Sequence, residues 1–318
     1  MKLLAGLAVL AHFYSTNDAL SRQSLQKNAA HISVASPVWL AVTENGEVRP
    51  VVDPQTVAWA RERRLRLMPV VTNEDFRPEV ARAVLDDERL LDQVVDALVR
   101  IAEAEGFSGL SLDFENFGVE GRAGYVRLAK HLGQELRKRG MTLGVAVGAP
   151  LGAGLAPNGH SRAFDYAGLG QAADWVTLMT YDEYTSPDQP GPIAGYGWVE
   201  ACLRKTLESV PREKLLLGLP LYYRRWNGKK VSEGPYLEAR ALALRHRTRI
   251  RLDPVHQAPR FQFRAAKVRN VVWLEDARSL GRRLELVRKY RLAGFSAWRL
   301  GLEDPAVWPA VFGRMPKL

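Results

Sequence analysis

The strongest constraint this chain places on its own fold is a rhythm. Short apolar runs of strand length alternate with stretches of helical periodicity through most of its 318 residues. Strand side chains repeat every two residues and helical ones every 3.6, so this alternation specifies βα units around a parallel sheet. The runs that read as strands are 7–14, 32–39, 66–71, 109–115, 142–147, 175–181, 214–222 and 294–298. Eight such strands are the number that closes into a (β/α)8 TIM barrel. Between them, 86–105 carries Leu90, Leu91, Val94, Val95, Leu98, Val99 and Ile101 at near-helical spacing. The stretches 125–138 and 198–209 read the same way, and 277–290 sets Leu280, Leu284 and Val287 on one stripe.

One interval breaks the rhythm. Residues 226–272 are about one βα repeat too long and rich in Arg, Gly and Pro, and Val231, Tyr236, Phe261, Phe263 and Val268 mark short strands there. The expectation is a single barrel over 1–318 with a small α+β insertion, 226–272, after strand seven. Insertions after barrel strands lie at the C-terminal face, where barrel enzymes bind substrate.

Composition narrows the classes. With 47% hydrophobic and 25% charged residues the chain is globular, not disordered. Its net charge of +10 has two readings, attraction to a polyanion or a solvated basic face. The basic residues cluster at 61–66, 224–230 and 245–251. No zinc-finger spacing or RNA-binding motif accompanies them, so no nucleic-acid partner is expected. Cys202 is the only cysteine, which rules out an intramolecular disulfide; on a helix it reads as a small buried hydrophobe. The apolar start, 1–11, fits a short signal peptide or a first buried strand. Cleavage after Ala11 leaves little of that strand, which favours the strand. No segment is long and apolar enough for a membrane span.

The chemistry concentrates in Gly106-Phe-Ser-Gly-Leu-Ser-Leu-Asp-Phe-Glu-Asn116. Strand alternation turns Leu110, Leu112 and Phe114 toward the helices, and Gly109, Ser111, Asp113 and Glu115 into the barrel. Two carboxylates then share the C-terminal end of one strand. Carboxylates so close do not both ionise freely, and the one that keeps its proton can serve as a general acid. The plainer reading is a strand end whose acids cap the next helix or form a salt bridge.

Ser108-Gly-Leu-Ser-Leu-Asp-Phe-Glu115 resembles the Asp-Gly-x-Asp-x-Asp-x-Glu motif of glycoside hydrolase family 18, the chitinase-like barrels. Gly109, Asp113 and Glu115 match; Ser108 and Ser111 replace the first two aspartates. Leu178-Met-Thr-Tyr-Asp182 resembles the strand-six motif and Ala297-Trp-Arg299 the strand-eight end. Asp113-Phe-Glu-Asn116, Met179-Thr-Tyr-Asp-Glu183, Gly191-Pro192, Leu217-Gly-Leu-Pro-Leu-Tyr222, Trp273-Leu-Glu-Asp-Ala277 and Trp298-Arg-Leu-Gly301 are similar to the spore-cortex and spore-germination branch.

The resemblance implies substrate-assisted, retaining hydrolysis of an N-acetylated glycan. Glu115 is then the acid, Asp113 orients the substrate acetamide, and Tyr181 hydrogen-bonds the acetamide oxygen. Asp182 grips a sugar hydroxyl or supports Glu115, and Trp298 forms the floor under the sugar. Tyr222 lines the cleft or packs beneath the insertion, and Ser111 hydrogen-bonds Asp113 without relaying charge as an aspartate does. No metal or organic cofactor is implied. Peptidoglycan is the first candidate substrate and chitin-type oligosaccharide the second, because a basic surface suits an anionic wall. A monomer is expected, at the cell envelope or spore, with a cytoplasmic place left open. The rival reading is a glycan-binding barrel that has lost catalysis; relatives of that kind usually lack the acid that Glu115 supplies here. For His12, at the end of strand one, a satisfied core histidine is favoured over a substrate contact, and Trp39 and Trp273 fit either role.

Overall fold

The computed structural model describes residues 9–157, 159–228 and 230–314. Seven parallel strands come first: β1 (Leu10–Ser15), β2 (Val34–Val42), β3 (Val70–Asn73), β4 (Gly109–Asp113), β5 (Thr142–Gly148), β6 (Trp175–Met179) and β7 (Leu215–Pro220). After one linking residue the chain leaves the barrel and builds an antiparallel sheet from β8 (Tyr222–Asn227), β9 (Lys230–Pro235), β10 (Arg251–Leu252), β11 (Pro259–Ala265) and β12 (Val268–Leu274). It returns as β13 (Gly294–Trp298), which pairs in parallel with both β7 and β1. Since β1 also pairs with β2, the sheet closes on itself as an eight-stranded parallel barrel. The (β/α)8 expectation with an α+β insertion after the seventh strand is what the chain adopts.

Each strand is buried because helices cover its outer face. Leu110, Leu112 and Phe114 are fully buried, and Phe114 stacks on Tyr125 of the helix Arg122–Arg137 at 6.1 Å. The helix Glu88–Glu105 starts where the Asp87 side chain accepts from the backbone N–H groups of Arg89 and Leu90. It stops at Gly106, whose left-handed φ of 66° carries no Cβ penalty in glycine. Three residues on, Gly109 opens β4 against β5 so closely that a Cβ there would lie 2.0 Å from the Thr142 carbonyl oxygen. A side chain at 109 would push apart the two strands beneath the acids.

The third strand differs from the sequence reading. Residues 66–71 split into a two-residue pairing, Arg66–Leu67, and then β3, which starts at Val70 and runs on to Asn73. Pro69 sits in the break and has no N–H to donate to a ladder. Leu7 and Ala8 of the expected first strand lie outside the described residues.

His12 is a satisfied core residue. Its ring nitrogens lie 2.6 Å from the hydroxyls of Ser296 and Ser36, and burial lowers its pKa to about 3, so it stays neutral. Trp39 is also core, 1% exposed, with its indole N–H on Asn17 Oδ1 at 2.6 Å. Cys202 is buried in the helix Tyr196–Thr206, and burial pushes its thiol up to about 12, the inert end of cysteine chemistry. No helix of the described residues is long and apolar enough to cross a membrane.

Candidate active site

Above the C-terminal ends of β4, β5 and β6 lies an open cavity of about 460 Å³. Glu115, Tyr181 and Asp182 line it together with Glu183, Met179 and Trp198. Glu115 and Tyr181 each sit two residues beyond a strand end, so the barrel fixes their backbones while their side chains reach the mouth. The next residue after each, Asn116 and Asp182, adopts a left-handed φ of 62°. Such backbone is sparsely populated by non-glycine residues and clusters at functional sites.

Asp113 lies lower. It is 6% exposed, and its Oδ1 is buried without a hydrogen-bond partner among the described residues. Burial pushes its carboxyl well above the usual range. Glu115 is half-buried and is raised too, first by desolvation and then by the nearby charges of Asp113 and Asp182. Such a pair holds a proton at neutral pH. Burial first, with the nearby Tyr14, Asp113, Tyr222 and Glu115 adding to it, raises Tyr181 far above the ordinary tyrosine value, which keeps its hydroxyl a donor.

Not every expected residue faces the opening. Ser111 is 2% exposed, one β-period below Asp113, where the Tyr14 hydroxyl lies among the hydroxyls of Ser111, Thr177 and Ser296. It lies beneath the acids, out of a ligand's reach, and the expected hydrogen bond to Asp113 is not formed among the described residues. Tyr222 is 3% exposed and donates its hydroxyl to Asp182 Oδ1. Trp298 is partly exposed and packs on Tyr14 at 5.3 Å, ring centre to ring centre. Trp273 is buried in the insertion, edge-on to His256.

Four residues that the sequence reading left out complete the site. Asn73, fully buried at the end of β3, accepts from the Glu115 N–H at 2.9 Å and donates to the Glu115 carbonyl at 3.2 Å and the Arg77 carbonyl at 3.0 Å. It clamps the backbone of the acid across 42 residues of sequence. Arg224 on β8 reaches Asp182 Oδ1 at 2.6 Å, Glu233 at 2.8 Å and the Tyr184 carbonyl at 3.1 Å, tying the strand-six loop to the insertion. Trp198 donates to the Leu151 carbonyl at 3.0 Å and fixes the loop that forms one cavity wall. Glu183 accepts from the Gly195 N–H at 2.6 Å; burial raises its carboxyl to about 7, against the pull of that N–H and of Arg283.

Asn73→Ala removes the clamp and leaves the buried Glu115 N–H without a partner. The expected result is a fall in kcat of about 10- to 100-fold with KM nearly unchanged, from misplacement of the acid. An accompanying stability loss of about 1–3 kcal/mol is expected from the unmet hydrogen bonds. Steady-state kinetics beside a urea titration separates the two effects.

Comparison with known proteins agrees with this geometry. Residues 14–303 match the family profile described as glycosyl hydrolases family 18. A protein of Bacillus subtilis named uncharacterized glycosylase YvbX is 25% identical over 307 residues, covering 94% of this chain and 89% of its own. The cortical fragment-lytic enzyme of the same organism is 29% identical, over 76% of this chain and 58% of its own. Among solved structures, a chitinase from Chromobacterium violaceum superposes with a TM-score of 0.89 at 30% identity, covering 96% of this chain and 98% of that one.

Proposed function

Because the chain belongs to the glycosyl hydrolases of family 18, it is a glycosidase, and we propose that Glu115 and Asp113 cleave the glycan strands of peptidoglycan. The observation that carries the assignment of roles is the contrast between the two acids. Glu115 lines the cavity with a proton held by burial and by neighbouring negative charge. Asp113 lies beneath it with one carboxylate oxygen unpartnered.

The chemistry follows from that contrast. Glu115 gives its proton to the glycosidic oxygen as the bond from that oxygen to the anomeric carbon breaks. The acetamide oxygen of the same sugar takes the vacated bond and forms an oxazolinium ring. The free Oδ1 of Asp113 accepts the acetamide N–H, orienting that oxygen and offsetting the positive charge that develops. Tyr181 donates its hydroxyl to the acetamide from the cavity wall. Glu115, now a carboxylate, takes a proton from water as the water oxygen bonds to the anomeric carbon and the ring reopens. Two displacements at one carbon give net retention.

Asp182, held by Tyr222 and Arg224, is the group placed to grip a sugar hydroxyl. Trp298 forms the apolar floor, and Ser111 fills the space below Asp113. The barrel and its insertion work as one catalytic unit and act as a monomer. Peptidoglycan is favoured over neutral chitin oligosaccharide by the basic charge of the chain and by the likeness to a cortical fragment-lytic enzyme.

Mass spectrometry of products from purified peptidoglycan and from N-acetylchitooligosaccharides tests the reading, with proton NMR for the first-formed anomer. Release of fragments with an N-acetylglucosamine reducing end of retained configuration is expected. Binding of both glycans without any product marks the barrel as a lectin and ends the proposal.

A further inference from the structure

The charge of this protein is not spread over it. Residues 222–274 hold 13 Lys and Arg against 3 acids, a net charge of +10. The whole chain, with 45 basic and 35 acidic residues, also nets +10, so everything outside the insertion is neutral. Within the insertion the positive side chains line a cavity of about 780 Å³, larger than the one at the acids. Arg247, Arg249, Arg251 and Arg260 form much of its wall.

Three of the four have no anion to meet. Asp253 is the one acid on that wall, and it is already engaged by Arg260 at 3.2 Å and by the N–H groups of Val255 and His256. Arg247, Arg249 and Arg251 are exposed and make no ion pair among the described residues. Arg22, Arg77, Arg82, Arg137, Arg139 and Arg278, outside the insertion, each have a carboxylate within 4 Å. Like charges held side by side repel unless an anion settles among them.

The rim of this cavity is joined to the catalytic cleft. Asp253 begins a turn in which the His256 carbonyl accepts from the Tyr196 N–H at 2.9 Å. A Cβ on Gly195 would lie 3.0 Å from His256 Nδ1, and the Gly195 N–H is the donor that holds Glu183 in the cleft wall. One turn thus lines the arginine cavity and packs on Gly195, whose N–H holds a residue of the cleft wall. An anion in the arginine cavity can therefore belong to the polymer whose sugars occupy the cleft.

We propose that the arginine cavity of the insertion binds the carboxylates of peptides attached to the glycan strand being cut. The cleft reads the sugars, the insertion reads the acidic substituents, and the two together select peptide-bearing strands. This rests on the peptidoglycan reading, but its test is a binding measurement that stands whether or not product is released.

Full-length Glu115→Gln protein is sedimented with insoluble peptidoglycan, either intact or stripped of peptides by an amidase. The same is done after adding Arg247→Gln, Arg249→Gln and Arg251→Gln together. The expected result is binding to intact polymer at least about tenfold weaker for the arginine triple, with binding to stripped polymer unchanged. The advantage of the parent on intact polymer should shrink with added salt, as screening requires. The corresponding triple Arg→Lys variant should keep most of it, which separates charge from a folding defect. Equal binding of parent and triple to intact polymer overturns the proposal. So does an equal loss on stripped polymer, or a preference of the parent for duplex DNA over intact peptidoglycan at about 150 mM salt.

Discussion

Glu115→Gln should leave a folded protein that binds glycan and turns it over about 100- to 10,000-fold more slowly, the usual worth of a positioned general acid. The amide keeps the shape and the Asn73 clamp on the backbone but has no proton to give a leaving oxygen. The pH profile checks the same assignment independently. Glu115 is raised by burial first and then by Asp113 and Asp182, so its acid form persists to a higher pH than an ordinary glutamate allows. Activity that depends on this acid falls as pH rises through the raised value, and the slow residual rate of the variant should not follow that limb. The contribution of Glu115 to stability should fall over the same range. A carboxyl whose pKa is raised by folding contributes most below its unfolded value, and the contribution is lost as pH rises through the folded one. The glutamine variant should therefore equal or exceed the wild type in stability at neutral and alkaline pH. Product release and urea midpoints across pH test both halves; an inactive variant that is also less stable at pH 8 denies the assignment.

The second large effect lies beneath the insertion. Arg283 and Glu275 are 0% and 1% exposed and form an ion pair at 2.9 Å, and Arg283 also donates to the Ala194 carbonyl. Arg283→Met is expected to cost about 3–5 kcal/mol, because it strands a buried carboxylate. Burial pushes Glu275 up to about 7 against the pull of Arg283. Without the arginine only the Ser279 hydroxyl opposes burial, and the carboxyl rises further. At about pH 5 it is protonated in both proteins and the deficit is small; above its native pKa only the wild type has a partner for the charge, so the deficit grows. Adding Glu275→Leu should recover most of the loss, since an apolar pair has no charge to strand. Urea unfolding of the single and double variants at about pH 5 and pH 8 reads this directly. A deficit that does not change with pH would place the cost in packing rather than charge. Ala194 adjoins Gly195, which holds Glu183, so the single variant should also raise KM.

The main features of the barrel were legible because they are local. Alternation along 109–115 put Asp113 and Glu115 on one face, and the period of two placed Leu110, Leu112 and Phe114 against the helices. Apolar run length located the other strands to within a few residues. What escaped was whatever barrel closure brings together. Asn73 is a strand-end asparagine in a stretch whose expected end came two residues too early, and nothing near it in sequence shows that it faces Glu115. Arg224 read as one member of a basic cluster, since its partners Asp182 and Glu233 meet it only after the insertion folds back over the strand-six loop. Ser111 and Tyr222 were read by facing alone, and facing does not tell the depth at which a side chain stops.

The excursion that carries all the net charge leaves through β8 and re-enters through β12, and these two strands are neighbours, with Tyr223 opposite Leu274. Its exit and return are therefore stitched together before the chain goes anywhere else. The seam fixes where the insertion meets the barrel. The insertion is thus a branch whose two ends share one root, and the net positive charge of the chain sits on that branch and not on the barrel that carries the acids.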